Sequence, residues 1–165
     1  MTSEVDKMFL VQSLTKFVGA WAGSNGFQLM PGETPYVAAA TAAVSTAATG
    51  NMVAIAYTWS HPEDGAQDGL LVVGRNDEPT GAVAFWGDSW HQSPQPTVLE
   101  GGFEEGVLSV SYEYGGEWRW QISIDATHAA SLMIRMDNIV PESAATEAVA
   151  AGAYPAMLTD LRRRS

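Results

Sequence analysis

The chain has 165 residues, 46% of them hydrophobic, and its 19 acidic and 8 basic side chains give a net charge of -11. That length suits one domain able to bury most of its apolar surface, and that apolar content excludes an intrinsically disordered chain. The charge excludes a phosphate-neutralising surface, because the only basic cluster, Arg162-Arg163-Arg164, reads as a solvated tail. With no cysteine there is no disulfide and no thiolate chemistry, which permits a reducing compartment. No segment approaches the roughly 20 apolar residues of a membrane span. Met1 to Phe17 breaks its apolar runs with Glu4, Asp6, Lys7 and Lys16, unlike a signal peptide. A cytoplasmic protein is expected, with neither nucleic acid nor membrane as partner.

In chain order, residues 4 to about 16 read as one short helix. Ser3 is a fitting N-cap, Glu4 and Asp6 stand in the first turn, and Leu10, Leu14 and Phe17 recur at helical spacing. From Gly19 the period changes. Gly, Pro, Asn and Asp punctuate the chain about every ten residues, the cadence of a meander. The strands expected are 19–29, 36–48, 51–60, 68–75, 80–87, 97–104, 107–114, 117–125 and 130–138. Residues 38–48 are rich in alanine, a helix former. They are still read as a strand, because Thr and Val recur and Gly50-Asn51 follows as a hairpin turn; small side chains there suit a crowded wall or a close subunit contact. At the C-terminus either Ala144–Ala153 or Tyr154–Leu161 could form the last strand. No change of composition marks a boundary. The division is a helix over 1–18, a meander over 19–141, and a last strand with its tail over 142–165.

One hairpin can be read side chain by side chain. Leu108, Val110 and Tyr112 alternate with Ser109, Ser111 and Glu113, and Trp118, Trp120, Ile122 and Ile124 alternate with Arg119, Gln121 and Ser123. Directly opposed residues share a face. A two-residue Gly115-Gly116 turn would mix the faces. A three-residue loop, Tyr114-Gly115-Gly116, keeps them apart by pairing Tyr112 with Trp118, Val110 with Trp120 and Ser111 with Arg119. One face is then aromatic and the other polar, and a sheet closed on itself uses both. The fold expected is all-β, an antiparallel up-and-down barrel of about ten strands behind a short N-terminal helix.

The run Phe17-Val18-Gly19-Ala20-Trp21-Ala22-Gly23, a helix end followed by Gly-x-Trp-x-Gly, resembles the calycin barrels, which include lipocalins, fatty-acid-binding proteins and nitrobindins. Asp88-Ser89-Trp90-His91, Trp118-Arg119-Trp120 and Met136-Asp137-Asn138-Ile139-Val140-Pro141 are similar to an uncharacterised bacterial family, the domain of unknown function numbered 1579. The resemblance implies a lipocalin-like barrel and no established activity. It implies that Trp21, beside Gly19, closes one end of the barrel, and that a C-terminal arginine, Arg162 or Arg163, packs over it. Nitrobindin-like barrels hold heme through a histidine near the C-terminus. Here the histidines are His61, His91 and His128, so heme is disfavoured and no cofactor is expected.

Among residues that could carry chemistry, Asp88 and His91 flank Trp90 after an apolar strand. A carboxylate can orient an imidazole for proton transfer or ligation. The plainer reading is a loop that closes the barrel mouth. His61-Pro62-Glu63-Asp64 with Asp68 offers metal donors on one turn, but no second histidine stands at ligand spacing, and a solvated hairpin is expected. Phosphate loop, Gly-x-Ser-x-Gly elbow and His-Glu-x-x-His signatures are missing. The aromatic residues are numerous, and ligand pockets are mostly apolar with a few convergent polar groups. The expected function is binding of a small apolar or amphipathic molecule. Trp90, Tyr112, Trp118 and Trp120 would line the pocket, and His91 or Arg119 would be the polar contact. Arg119 could hold a carboxylate, or could point outward toward Glu113 or Glu117. The alternatives are a filled barrel whose outer face forms a homodimer, and an enzyme using Asp88 and His91.

Overall fold

The computed structural model describes residues 13–92 and 95–165. Ten strands follow one another: β1 Gly19–Phe27, β2 Tyr36–Ala47, β3 Met52–His61, β4 Gly65–Arg75, β5 Gly81–Asp88, β6 Thr97–Glu104, β7 Val107–Gly115, β8 Trp118–Asp125, β9 Ser131–Val140 and β10 Gly152–Arg163. Each pairs antiparallel with its neighbours in sequence, and β1 pairs with β10, so the sheet closes into a barrel. A short helix precedes the barrel; its described part is the turn at residues 13–15, and the rest of the expected helix, with its Ser3 cap, lies outside the described residues.

The alanine tract forms β2. Pairing on both edges, with β1 and β3, outweighs its helix preference. The small side chains have a packing role. Trp21, Ala42, Tyr57 and Gly69 stand side by side across β1 to β4, so each large inward ring has a small neighbour. The last strand runs from Gly152 and contains Tyr154–Leu161, while residues 142–144 form a single 3₁₀ turn. Pro155 sits where the β9–β10 register shifts, a place in a sheet that tolerates proline.

The expected register of the β7–β8 hairpin is corrected by two residues. Tyr112 faces Trp120, Val110 faces Ile122, and Ser111 faces Gln121. The turn is Gly116-Glu117, both with positive φ (55° and 67°), as a tight hairpin turn requires. The register shifts between Glu113 and Gly115, leaving Tyr114 as the extra residue. Turn and bulge together move the register by two, so the separation of faces survives. Arg119 still reaches Ser111, donating from Nη2 to Oγ at 2.8 Å.

The two ends of the barrel differ. At the end holding the start of β1 and the finish of β10, the interior is filled by Leu14, Phe17 and Trp21 over an aliphatic core that includes Ile55, Leu71, Leu99, Leu108 and Ile124. At the other end the inward side chains are Phe27, Trp59, His61, Trp86, Asp88 and Trp120. The aliphatic half is a buried core, and a cleft opens in the aromatic half. No helix among the described residues is long and apolar enough to cross a membrane.

Candidate functional site

Asp88 organises the aromatic end. It closes β5 facing inward and is 3% exposed. A carboxylate buried this deeply must be saturated with donors. Oδ1 accepts the backbone N–H groups of Trp90 and His91, each at 2.9 Å. Oδ2 accepts the Tyr57 hydroxyl at 2.6 Å and the Trp59 indole N–H at 3.1 Å. Tyr57 in turn accepts from Trp86 Nε1 at 2.8 Å. Burial first, then the neighbouring Asp88 charge, holds the Tyr57 phenol well above its ordinary value, so it stays a donor. The Asp88 carbonyl also accepts from Gln92 N at 2.9 Å, which curls the chain after β5 into a tight turn. That turn carries Trp90 and His91 back over the open end. Asp88 thus binds the main chain of His91 and not its ring, the arrangement of a mouth-closing loop. Ser89 is equally structural: it accepts from Asp68 N at 3.0 Å and donates to Gln67 Oε1 at 2.7 Å.

The His91 imidazole lies among indoles. It stacks on Trp59 (centroids 5.3 Å, 19° between planes) and meets Trp120 at 4.8 Å and Trp90 at 4.9 Å. Burial lowers its pKa from 6.5 to about 4; the Asp88 charge opposes the shift and His61 adds to it. The ring is therefore neutral near pH 7. Its Nε2 lies 3.0 Å from Met157 Sδ. A thioether only accepts, so Nε2 carries the proton and Nδ1 is an acceptor. His61 stacks on Trp90 (4.7 Å, 20°), and its Nδ1 accepts from Glu63 N and Asp64 N. Trp90 Nε1 donates to Asp64 at 2.8 Å. The His61 turn is thus tied to the mouth loop. Among the described residues, no three His, Cys, Asp or Glu side chains are grouped to hold a metal.

Between this lid and the start of β10 lies a cleft of about 240 Å³. Trp86, Trp90, His91, Tyr112 and Trp120 form its walls. Trp86 and Trp120 are stacked at 5.6 Å and 8°. The rim is polar: Gln92 donates to the Tyr112 hydroxyl, Tyr114 to Asn138 Oδ1 at 2.6 Å, Asn138 to the Tyr154 hydroxyl at 3.1 Å, and Tyr154 to the Leu29 carbonyl at 2.8 Å. Burial raises the phenols of Tyr112 and Tyr114 above their ordinary value.

Of the expected ligand contacts, Trp90, His91, Tyr112 and Trp120 come together around this cleft. Trp118 and Arg119 do not line it. Trp118 faces Gly115 beside the hairpin turn, and Arg119 is exposed on the outer wall, opposite Glu113. Arg135 is likewise directed away, held by both oxygens of Asp137 at 2.9 Å. Phe27, Asn138, Tyr154 and Ala156 also line the cleft and were not expected there. In an antiparallel meander alternate strand ends share one rim. Placing β10 would have found Tyr154, and the finish of β9 would have found Asn138.

At the opposite end Trp21 is fully buried and donates to the Phe17 carbonyl at 2.7 Å. Arg163 is its register partner and lies over its ring, 4.4 Å from the centroid. The guanidinium also donates to the carbonyls of Val18 and Lys16, both at 2.7 Å. Gly19, at φ 134°, leaves room for it: a Cβ there would stand 2.8 Å from Arg163 Nη1. Arg162 instead turns to Asp160. The crystal structure of Rv2717c from M. tuberculosis is similar in fold, with a TM-score of 0.55 over 94% of this chain and 97% of that one, at 14% identity. The closed ten-strand antiparallel barrel fits a calycin-like fold. At that identity the likeness speaks for the fold alone. No family model and no curated protein matches the chain, so the resemblance to the uncharacterised family rests on the motifs quoted above.

Proposed function

We propose that this calycin-like barrel binds a small apolar or amphipathic molecule in the cleft at its aromatic end, without transforming it. The observation that supports this reading is the division of the interior: a core of buried aliphatic side chains beneath an aromatic half with about 240 Å³ of open space under a hydrogen-bonded lid. Pockets of this make, apolar walls with a few fixed polar groups, are the usual form of small-molecule sites. Asp88 is saturated and does not touch the His91 ring, so the pair offers no relay for acid–base work. Titration calorimetry with a panel of ring compounds and fatty acids tests the reading. Saturable binding that disappears in Ala156→Phe, a change that fills the cleft wall, is the expected result. Binding unaffected by that change, in a variant that melts like the parent, places the site elsewhere.

A second reading is association of two copies through the outer wall. Closure leaves no free strand edge, so association must run face to face. One row across β2 to β6, Ser45, Ala54, Val72, Phe85 and Val98, carries no charge in a chain of net charge -11. Phe85 and Val98 are about half exposed there, at 46% and 55%. Two copies meeting on this row avoid like-charge repulsion. Light scattering tests it: a dimer that Phe85→Glu converts to monomer supports it, and a monomeric parent rejects it.

A further inference from the structure

The cleft carries information about charge and hydrogen bonding that narrows its ligand. Among the described residues, none of the side chains lining it is Asp, Glu, Lys or Arg. The carboxylates that hold the lid are engaged, Asp88 by four donors and Asp64 by Trp90. The one titratable imidazole, His91, is neutral near pH 7. No positive charge among the described lining residues compensates the desolvation of an anion, and the net charge of -11 adds repulsion.

Among the polar atoms of the walls, one on the Trp120 ring and one on the His91 ring make no hydrogen bond with the described residues. The Trp120 side chain lines the cleft and is 7% exposed, and its indole N–H is buried with no hydrogen-bond partner among the described residues. A buried donor left unpaired costs about 1–3 kcal/mol. His91 spends its N–H on Met157, and its Nδ1 acceptor takes no hydrogen bond among the described residues. The two ring centroids are 4.8 Å apart, so the donor and the acceptor belong to adjacent rings of the same aromatic cluster.

Resting on the reading of this cleft as a binding site, we propose that its ligand is an uncharged, planar aromatic compound of one or two rings with a hydrogen-bond acceptor beside a donor, the acceptor meeting the Trp120 N–H and the donor meeting His91 Nδ1. The size agrees. A buried cavity of about 150 Å³ accommodates benzene, and 240 Å³ accommodates a fused bicycle but no long acyl chain.

Four indole-sized probes separate the terms: an azaindole whose ring nitrogen stands beside its N–H, indole, indole acetate and tryptamine. Calorimetry on the full-length protein at pH 7 is expected to give the order azaindole, then indole, with the anion and the cation at least about tenfold weaker than azaindole. Trp120→Phe is expected to weaken azaindole about fivefold and leave indole, which lacks the acceptor, nearly unchanged. If indole acetate or tryptamine binds as tightly as azaindole, selection for a neutral ligand is overturned while the binding reading stands. If Trp120→Phe leaves azaindole binding intact, the donor assignment is overturned. If neither azaindole nor indole binds at millimolar concentration, the cleft reading falls and this inference falls with it. The comparison among probes uses the parent protein, so it holds even if the variant misfolds.

Discussion

Asp88→Asn is the most searching perturbation, because it keeps the shape of the hub and changes only which of its atoms can accept. Four donors converge on the carboxylate, two main-chain N–H groups on one oxygen and the Tyr57 hydroxyl and Trp59 indole on the other. Asparagine supplies one oxygen. If that oxygen keeps the main-chain pair, the amide NH₂ confronts two donors. Tyr57 already accepts from Trp86, so turning its hydroxyl disrupts a second bond. The Trp59 N–H makes no other hydrogen bond among the described residues. One orphaned buried donor at about 1–3 kcal/mol, together with the lost charge assistance in the bonds that remain, brings the cost to about 3 kcal/mol. For a chain of this length that corresponds to a fall in melting temperature of roughly 6–12 °C. Urea unfolding followed by tryptophan fluorescence measures it directly. Near-ultraviolet circular dichroism should weaken as well, since Trp90 and His91 lose their anchor. A loss below about 1 kcal/mol with an unchanged aromatic spectrum would refute the hub.

The other expected outcomes follow from single contacts. Gly69→Ala places a methyl against the Tyr57 ring, with Cε1 at 2.8 Å, and should cost about 1–3 kcal/mol in urea unfolding by displacing the phenol from Asp88; a neutral result would mean that the packing has slack. Arg163→Ala removes the guanidinium over Trp21 and its bonds to Val18 and Lys16, and should lower stability by about 1–2 kcal/mol, with faster hydrogen exchange in residues 16–18 than in the parent. The His91 pKa of about 4 lies below its value of 6.5 in an unfolded chain, so on acidification the unfolded state takes up the proton first. The stability due to the neutral ring is whole above about pH 6.5 and fades as the pH falls to about 4. That is at most about 3 kcal/mol, and His91→Gln should lose correspondingly less than the parent between those pH values. Parallel pH profiles for the two proteins would show that His91 does not contribute.

The barrel was legible because its signals are local and repeated. Turn residues recur along the chain, and strict alternation marks which side chains share a face. The nine strands expected before residue 140 all occur, most with ends shifted by a few residues; β4 starts three residues early, at Gly65. The β7–β8 register was misread because the choice between turns depended on one residue, Glu117, adopting a positive φ that glycine adopts more readily. The faces survived because a register change of two preserves alternation. The last strand stayed open because Gly152 to Arg163 contains Pro155, and proline in a strand is legible only once its bulge is known.

The site was less legible than the fold, and the reason is geometric. Trp90, His91, Tyr112 and Trp120 stand around the cleft, and aromatic residues announce themselves by type. Arg119 does not stand with them: its place between two tryptophans says nothing of the face it occupies, and opposite Glu113 it is exposed on the outer wall. Asp88 was noticed for its nearness to His91 in sequence. Its structural partners Tyr57 and Trp59 lie on a strand roughly thirty residues earlier, and only the β3–β4–β5 register brings them together. A carboxylate three residues from a histidine looks like chemistry when the chain is read linearly. In the closed barrel the same carboxylate is consumed by four donors, and the imidazole is left facing indoles. What the closed sheet adds is therefore knowledge of which polar atoms are already spent. At the cleft, the Trp120 N–H and His91 Nδ1 are among those that make no hydrogen bond among the described residues, and a ligand of the kind proposed would meet them.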